Sequence, residues 1–330
     1  MEVESEASVL HTDEIYTKAD IQSRIKNSKP DTNWNLAGNE EVTLKSLNKD
    51  AKECACNLQS CSKGCPKNKP ISELNQKLQR LDYVLGDIAP GMSGFDDAID
   101  IMEDNAVVKT ILQEAFEIQC RMTPFIGFTG KICPAPCEDA CTNTLSNDGN
   151  GKPVQIKKIE DLLYEIGRKY NWFDDLFKFN AKSINKTVFI IGSGPAGLQA
   201  AYDLRFKGYE VSIYEKYPRI GGLLRNGIPH HKLEKGTIDY YVNLLEKMGV
   251  KMHAGVEVSK EFLAEKTYDA LLLCTGVSDA PRLPAGAIWN PETKSIEPKG
   301  VFPAMDYLSE RDEANQLKND KGIEYEYKIQ

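Results

Sequence analysis

Nine cysteines are spread unevenly over the 330 residues. Cys54, Cys56, Cys61 and Cys65 form one cluster, Cys133, Cys137 and Cys141 a second, and Cys120 and Cys274 stand apart. Thiolates are soft ligands that suit zinc or iron–sulfur clusters. The first run closes on Cys65-Pro66 after a three-residue gap, an ending found in cluster-binding runs whose last cysteine ligates a different cluster from the first three. On that rule Cys133, Cys137 and Cys141 complete a second set with Cys65. Pro134 and Pro136 exclude a regular helix through the start of the second run, which places its ligands on a folded loop. Zinc and plain thiols are the alternatives, although the C-x2-C pairing of common zinc ribbons is not repeated here. Cys120 and Cys274 read as buried small hydrophobes.

A second chemical signal is Gly192-Ser193-Gly194-Pro195-Ala196-Gly197. In a G-x-G-x-x-G the first glycine makes a tight turn, the second admits a pyrophosphate against the backbone, and the third lets helix and strand pack closely. The helix that starts at Pro195 would present free N–H groups and positive partial charge to phosphates. Glu215, at the end of the next strand, is placed to accept bonds from ribose hydroxyls. An acidic residue there permits either FAD or NAD. Arg219-Ile220-Gly221-Gly222-Leu223-Leu224-Arg225 follows. Its glycine pair could bring backbone against the ribityl and phosphate region of a flavin, with Gly222, Leu223 and Arg225 as the contacts. A glycine turn that serves packing alone is the competing reading.

These residues need elements to position them. Ile71, Leu74, Leu78, Leu81 and Leu85 repeat at helical spacing and Gly86 supplies a stop. Further helices are expected at about 95–103, 107–119 and 156–170, the last with an apolar stripe of Ile156, Ile159, Leu162, Leu163 and Ile166. Strands are hard to find before residue 186, so residues 51–182 form an all-helical module. Residues 1–50 read as a loosely ordered polar arm, with a short helix around 19–26. The pattern changes at 183. Strands at 187–191 and 210–214 flank a helix at 195–206, giving a βαβ unit with a parallel pair. A helix at 236–248, a strand at 250–254 and a buried strand at 270–274 continue the α/β domain through residue 330. The charged tail ends in a strand-like stretch at 323–329.

The composition is that of an ordinary soluble globular protein, long enough for two domains. A net charge of −8 argues against nucleic-acid binding, which needs a basic face. No apolar run is long enough to span a bilayer, and Glu2, Glu4 and Glu6 open the chain without a signal peptide. With an odd number of cysteines, this disfavours a disulfide framework. A cytoplasmic protein without membrane contact is expected.

Several segments carry a specific likeness. Thr129-Gly130-Lys131-Ile132-Cys133-Pro134-Ala135-Pro136-Cys137-Glu138-Asp139-Ala140-Cys141, Pro153-Val154-Gln155-Ile156-Lys157-Lys158-Ile159-Glu160, Gly222-Leu223-Leu224-Arg225-Asn226-Gly227-Ile228-Pro229-His230-His231-Lys232-Leu233 and Ala304-Met305-Asp306-Tyr307-Leu308 resemble the small (β) subunit of NAD(P)H-dependent glutamate synthase. The likeness covers roughly residues 50–310. It implies a ferredoxin-like, all-α iron–sulfur domain followed by a Rossmann-type FAD domain that is incomplete here. It also implies an electron path. NAD(P)H reduces FAD, two [4Fe–4S] clusters carry the electrons on, and a large subunit uses them to make L-glutamate from glutamine and 2-oxoglutarate. Carried over by position, Cys54, Cys56 and Cys61 hold one cluster and Cys65, Cys133, Cys137 and Cys141 the other. Glu160 occupies the place of a non-cysteine ligand; a solvated helix glutamate is the plainer reading. No catalytic His, Ser or acid–base pair is evident.

The chain departs from the family in two places. Its first cysteines are spaced Cys54-x-Cys56 instead of Cys-x2-Cys. After Gly276 there is no second glycine-rich loop, so a nicotinamide site is not legible, and a truncated or split chain unable to oxidise NAD(P)H alone is expected. Flavin/iron–sulfur subunits of NADPH–ferredoxin oxidoreductases and the N-terminal part of dihydropyrimidine dehydrogenase share the architecture and are the alternative. A non-catalytic module is a third reading.

Overall fold

The computed structural model describes residues 59–88, 101–145, 152–178, 181–277, 288–290, 295–297, 304 and 307–309. The expected arm, Cys54, Cys56, most of the 95–103 helix and the 323–329 strand lie outside the described residues.

The described residues before 187 hold helices and no strand. These are α1 (Ser60–Gly64), α2 (Ile71–Ile88), α3 (Ala106–Cys120), α4 (Ile126–Ile132), α5 (Pro136–Asp139), α6 (Ile156–Lys169) and α7 (Trp172–Leu176). The apolar repeat of α2 faces inward, with Ile71, Leu74, Leu78 and Leu81 fully buried. Each such side chain contributes about 1.5–3 kcal/mol relative to exposure. Helix α3 starts where the Asn105 side chain accepts the N–H groups of Val107 and Val108, satisfying donors that have no partner inside the helix. The α6 stripe of Ile156, Ile159, Leu162, Leu163 and Ile166 is buried.

A parallel sheet follows, with β1 (Thr187–Ile191), α8 (Pro195–Phe206), β2 (Glu210–Glu215), α9 (Leu223–Asn226), α10 (Lys235–Lys247), β3 (Lys251–Ala254), α11 (Lys260–Ala264) and β4 (Ala270–Leu273). The strand order is β3-β2-β1-β4, with Thr187 beside Glu210 and Val188 beside Ala270. This is the order of a dinucleotide-binding half, with the ligand crevice at the strands' carboxyl ends. A short antiparallel pair, β5 (Ile288–Asn290) and β6 (Ser295–Glu297), is separate.

Strand β4 corrects one expectation. Its sequence predicts burial, but Leu272 and Leu273 are exposed, and Leu273 is 70% accessible. Its apolar run fits a covered strand, yet β4 is last in the sheet order, with no further strand beside it among the described residues.

The helical part and the sheet share one core. Phe125, Phe128, Tyr164, Phe173 and Phe177 pack their rings against Tyr241 of α10. The Tyr241 hydroxyl donates to the Pro124 carbonyl at 3.1 Å and accepts the Gly127 N–H at 3.0 Å.

Candidate functional site

The two glycine motifs fold into one cradle. Gly192 turns at φ +101° with its α-carbon against the Cys274 carbonyl, 2.3 Å from where a β-carbon would stand. A β-carbon on Gly197 would lie 2.1 Å from the Gly192 carbonyl oxygen, so only glycine allows α8 to seat on the turn. Gly194 has open space where its β-carbon would be. Gly222, at φ +52°, lies on Gly194, 2.8 Å from its α-carbon by the same measure. Pro195 occupies the first turn of α8, where its missing N–H costs nothing, and Ala196 follows it. Gly222 caps α9, and the Leu223 side chain is exposed beside it.

Glu215 ends β2 as expected, and its carboxylate already has a structural role. Oε2 accepts the Ser193 N–H at 3.0 Å and the Ser193 hydroxyl at 2.6 Å, and Oε1 accepts the Tyr217 N–H at 3.0 Å. Ser193 Oγ in turn accepts the Gly221 N–H at 2.9 Å. This buried serine, which has no expected role in the sequence motif, ties the first glycine turn, the acidic residue and the second glycine turn together. Its signal was its place inside the glycine motif. Arg225 is buried. Its Nε donates to the Ile220 carbonyl and its Nη2 to Asp239, while Nη1 is buried with no hydrogen-bond partner among the described residues. A cofactor acceptor would satisfy that donor.

The cysteines come together in the helical part. Cys61 lies on α1 and Cys65 caps its end. Gly64 packs against α5, where an added β-carbon would stand 2.6 Å from Ala140 Cβ and 2.9 Å from the Pro136 carbonyl oxygen. Cys133 caps α4 and Cys137 lies on the single turn of α5. The expected loop therefore spans only 133–135, because Pro136 suits a first helical turn. Ala135 adopts φ +57° there and donates its N–H to Cys133 Sγ at 3.4 Å. Burial pushes the Cys137 thiol up to about 12, with Glu138, Cys65, Cys133 and Glu160 adding to the effect. Cys65, Cys133, Cys137 and Cys141 are outside any disulfide. Buried (Cys61, Cys137, Cys141) and half-buried (Cys65, Cys133) thiols from two stretches, Cys133 accepting an N–H bond, are a donor set that fits an iron–sulfur cluster.

Among the described residues no three His, Cys, Asp or Glu side chains have single-ion geometry. A four-iron cluster gives each thiolate its own iron, and those sulfurs stand farther apart than ligands of one ion. Glu160 is buried on α6, paired with Lys69 and accepting the Thr129 hydroxyl, both through Oε1. It is no solvated glutamate. Lys69 carries no motif, and Thr129, although it opens the 129–141 segment, has no site role in the sequence pattern. Cys120 is buried as expected, whereas Cys274 is only partly covered.

None of the described helices is long and apolar enough to cross a membrane. The NAD(P)-binding Rossmann-like domain family matches residues 190–252. The glutamate synthase [NADPH] small chain of Mycobacterium tuberculosis (strain CDC 1551 / Oshkosh) is 32% identical over 273 residues, 82% of this chain and 47% of its own length. That of Bacillus subtilis (strain 168) is 36% identical over 200 residues, 60% of this chain and 38% of its own length. Glutamate synthase [NADH] of Schizosaccharomyces pombe (strain 972 / ATCC 24843) is 36% identical over 211 residues, 62% of this chain and 9% of its own length. The chain spans less than half the length of the small chains it matches. By its sequence, the chain belongs with the small chains of NAD(P)H-dependent glutamate synthase.

Proposed function

We propose that the chain is an oxidoreductase component that routes electrons from NAD(P)H through FAD and two [4Fe–4S] clusters to a glutamate synthase large subunit. There they would be used to make L-glutamate from glutamine and 2-oxoglutarate. The supporting observation is the cradle of Gly192, Gly194, Gly197 and Gly222, built into the same core as a buried thiol pocket. A bound flavin accepts a hydride and releases single electrons, and the protein's part is to hold and tune it.

In this reading Gly194 and the start of α8, with Pro195 and Ala196, take the pyrophosphate. Glu215 holds the loop through Ser193 and uses its remaining lone pair toward a ribose hydroxyl. Arg225 Nη1 meets a flavin-side acceptor. Cys65, Cys133, Cys137 and Cys141 form one ligand set, and Cys65 and Cys133 lie close enough to act on the buried Cys137 thiol. Cys54, Cys56 and Cys61 form the other, with Glu160 as the candidate eighth ligand, and the packing of Gly64 of α1 on α5 brings the stretch of Cys61 and Cys65 to that of Cys137. The Ala135 N–H raises the potential of a cluster on Cys133 by stabilising the extra electron.

Anaerobic purification of the 330-residue chain, followed by assay of iron, acid-labile sulfide and flavin, tests the proposal. Iron with matching sulfide is expected, with FAD held weakly at best by the chain alone; a colourless protein with zinc or no metal overturns it. The matched family description, NAD(P)-binding, favours a second occupant for the cradle. Separate titrations with FAD and NADPH decide, with FAD expected to bind at least tenfold more tightly.

A further inference from the structure

Lys69 is buried in the loop before α2, and its ammonium is paired with Glu160 Oε1 of α6 and lies 3.3 Å from Thr129 Oγ1 of α4. The Thr129 hydroxyl donates to the same carboxylate oxygen. Three separate elements thus converge on one atom. As a stability device this is poor, because stripping water from both charges offsets much of their attraction, and an apolar pair of similar volume often holds a fold as well. The location suggests another use. Thr129 is on the helix that ends at Cys133, and Glu160 is close enough to Cys137 to act on its thiol. Groups behind a metal ligand orient it and tune the metal.

We infer that Lys69 is a positioning residue for the thiol pocket. With Thr129 it fixes the Glu160 carboxylate by Oε1 and cancels its charge beside Cys65, Cys133 and Cys137. An iron–sulfur cluster held there then has a higher reduction potential than the donor set alone would give it. The inference rests on the cluster reading above. Its physical basis is that cluster potentials follow net charge and nearby hydrogen bonds, and one extra uncompensated negative charge favours the oxidised state.

The test uses the full chain, purified and reconstituted without oxygen, as wild type, Lys69→Met, Lys69→Arg and Thr129→Val. Iron and sulfide are counted, and the reduced cluster is titrated by electron paramagnetic resonance. Lys69→Met is expected to lower one midpoint potential and alter that cluster's signal, and Lys69→Arg, which keeps the charge, to restore the potential most of the way. Thr129→Val is expected to shift it in the same direction by less. A folded Lys69→Met protein with wild-type iron, potential and signal overturns the inference and leaves the cluster reading intact. If Lys69→Met does not fold, Thr129→Val decides: an unchanged potential overturns the inference. A wild-type chain without iron and sulfide defeats the cluster reading itself.

Discussion

A methyl group added at Gly194 would meet nothing within 4 Å, whereas one added at Gly197 would lie 2.1 Å from a backbone oxygen. The two glycines of one motif therefore have different reasons to be there. Gly194→Ala is expected to change stability by no more than about 0.5 kcal/mol, as surface changes do. Flavin affinity should drop at least tenfold, about 1.4 kcal/mol, because the methyl fills the space left for the phosphates. Gly197→Ala is expected to cost about 1–3 kcal/mol through overpacking. Denaturant melts and flavin titrations of the two proteins separate these effects, and equal melts for both would show that the clash at Gly197 is absorbed. The motif and Glu215 were legible because glycine spacing reports backbone demands directly. Ser193, Lys69 and Thr129 were not, because their partners are 22, 91 and 31 residues away in sequence, and separations of that kind leave no local pattern.

Helix α4 rests on α6 through two glycines. An added β-carbon on Gly127 would meet the Tyr164 ring at 2.5 Å, and one on Gly130 the Asp161 backbone nitrogen at 2.7 Å. The Tyr164 ring is fully buried against Phe173 and Tyr241, and the backbone of α6 cannot move without carrying Glu160 with it. Gly130→Ala is therefore expected to separate the two helices, lower stability by about 1–3 kcal/mol, and reduce iron per chain, since α4 leads to Cys133 and α6 carries Glu160. Full iron loading in a destabilised Gly130→Ala protein would detach the thiol pocket from this helix pair. At this scale the sequence was informative. The apolar stripes of α2, α3 and α6 and the β-branched run of β1 placed those elements within a few residues, because one face of each is buried. The exception was β4, whose apolar run predicts burial but whose neighbours across the sheet are set by topology. The short helices α1, α4, α5, α7, α9 and α11 were also missed, since segments of so few residues carry little or no periodicity.

At the scale of the molecule, residues 51–182 and 183–330 were read as separate modules, and the change from helices to a parallel sheet falls in that region. The core does not divide there. Tyr241 of α10 is fully buried among Phe125, Phe128, Tyr164, Phe173 and Phe177 of the helical part. The Tyr202 hydroxyl donates to the Leu176 carbonyl at 3.2 Å, and the Thr123 hydroxyl to Gln199 at 2.6 Å. Hydrophobic periodicity shows that a face is buried without showing against what, so this seam could not be read from the chain. Shared burial makes the two halves unfold together. The cofactor-free chain, with Trp34→Phe and Trp289→Phe leaving Trp172 of α7 as the sole tryptophan, is expected to melt in one transition, with far-ultraviolet circular dichroism and tryptophan fluorescence changing at the same denaturant concentration. Tyr241→Phe should move both probes together to lower denaturant. The change leaves the Gly127 N–H and the Pro124 carbonyl unpaired inside the protein, at a cost of about 1–3 kcal/mol. If that variant instead splits the transition, with circular dichroism and tryptophan fluorescence reporting separate midpoints, the halves are independent domains. The cradle and the thiol pocket would then be held at a fixed separation only by the chain that joins them.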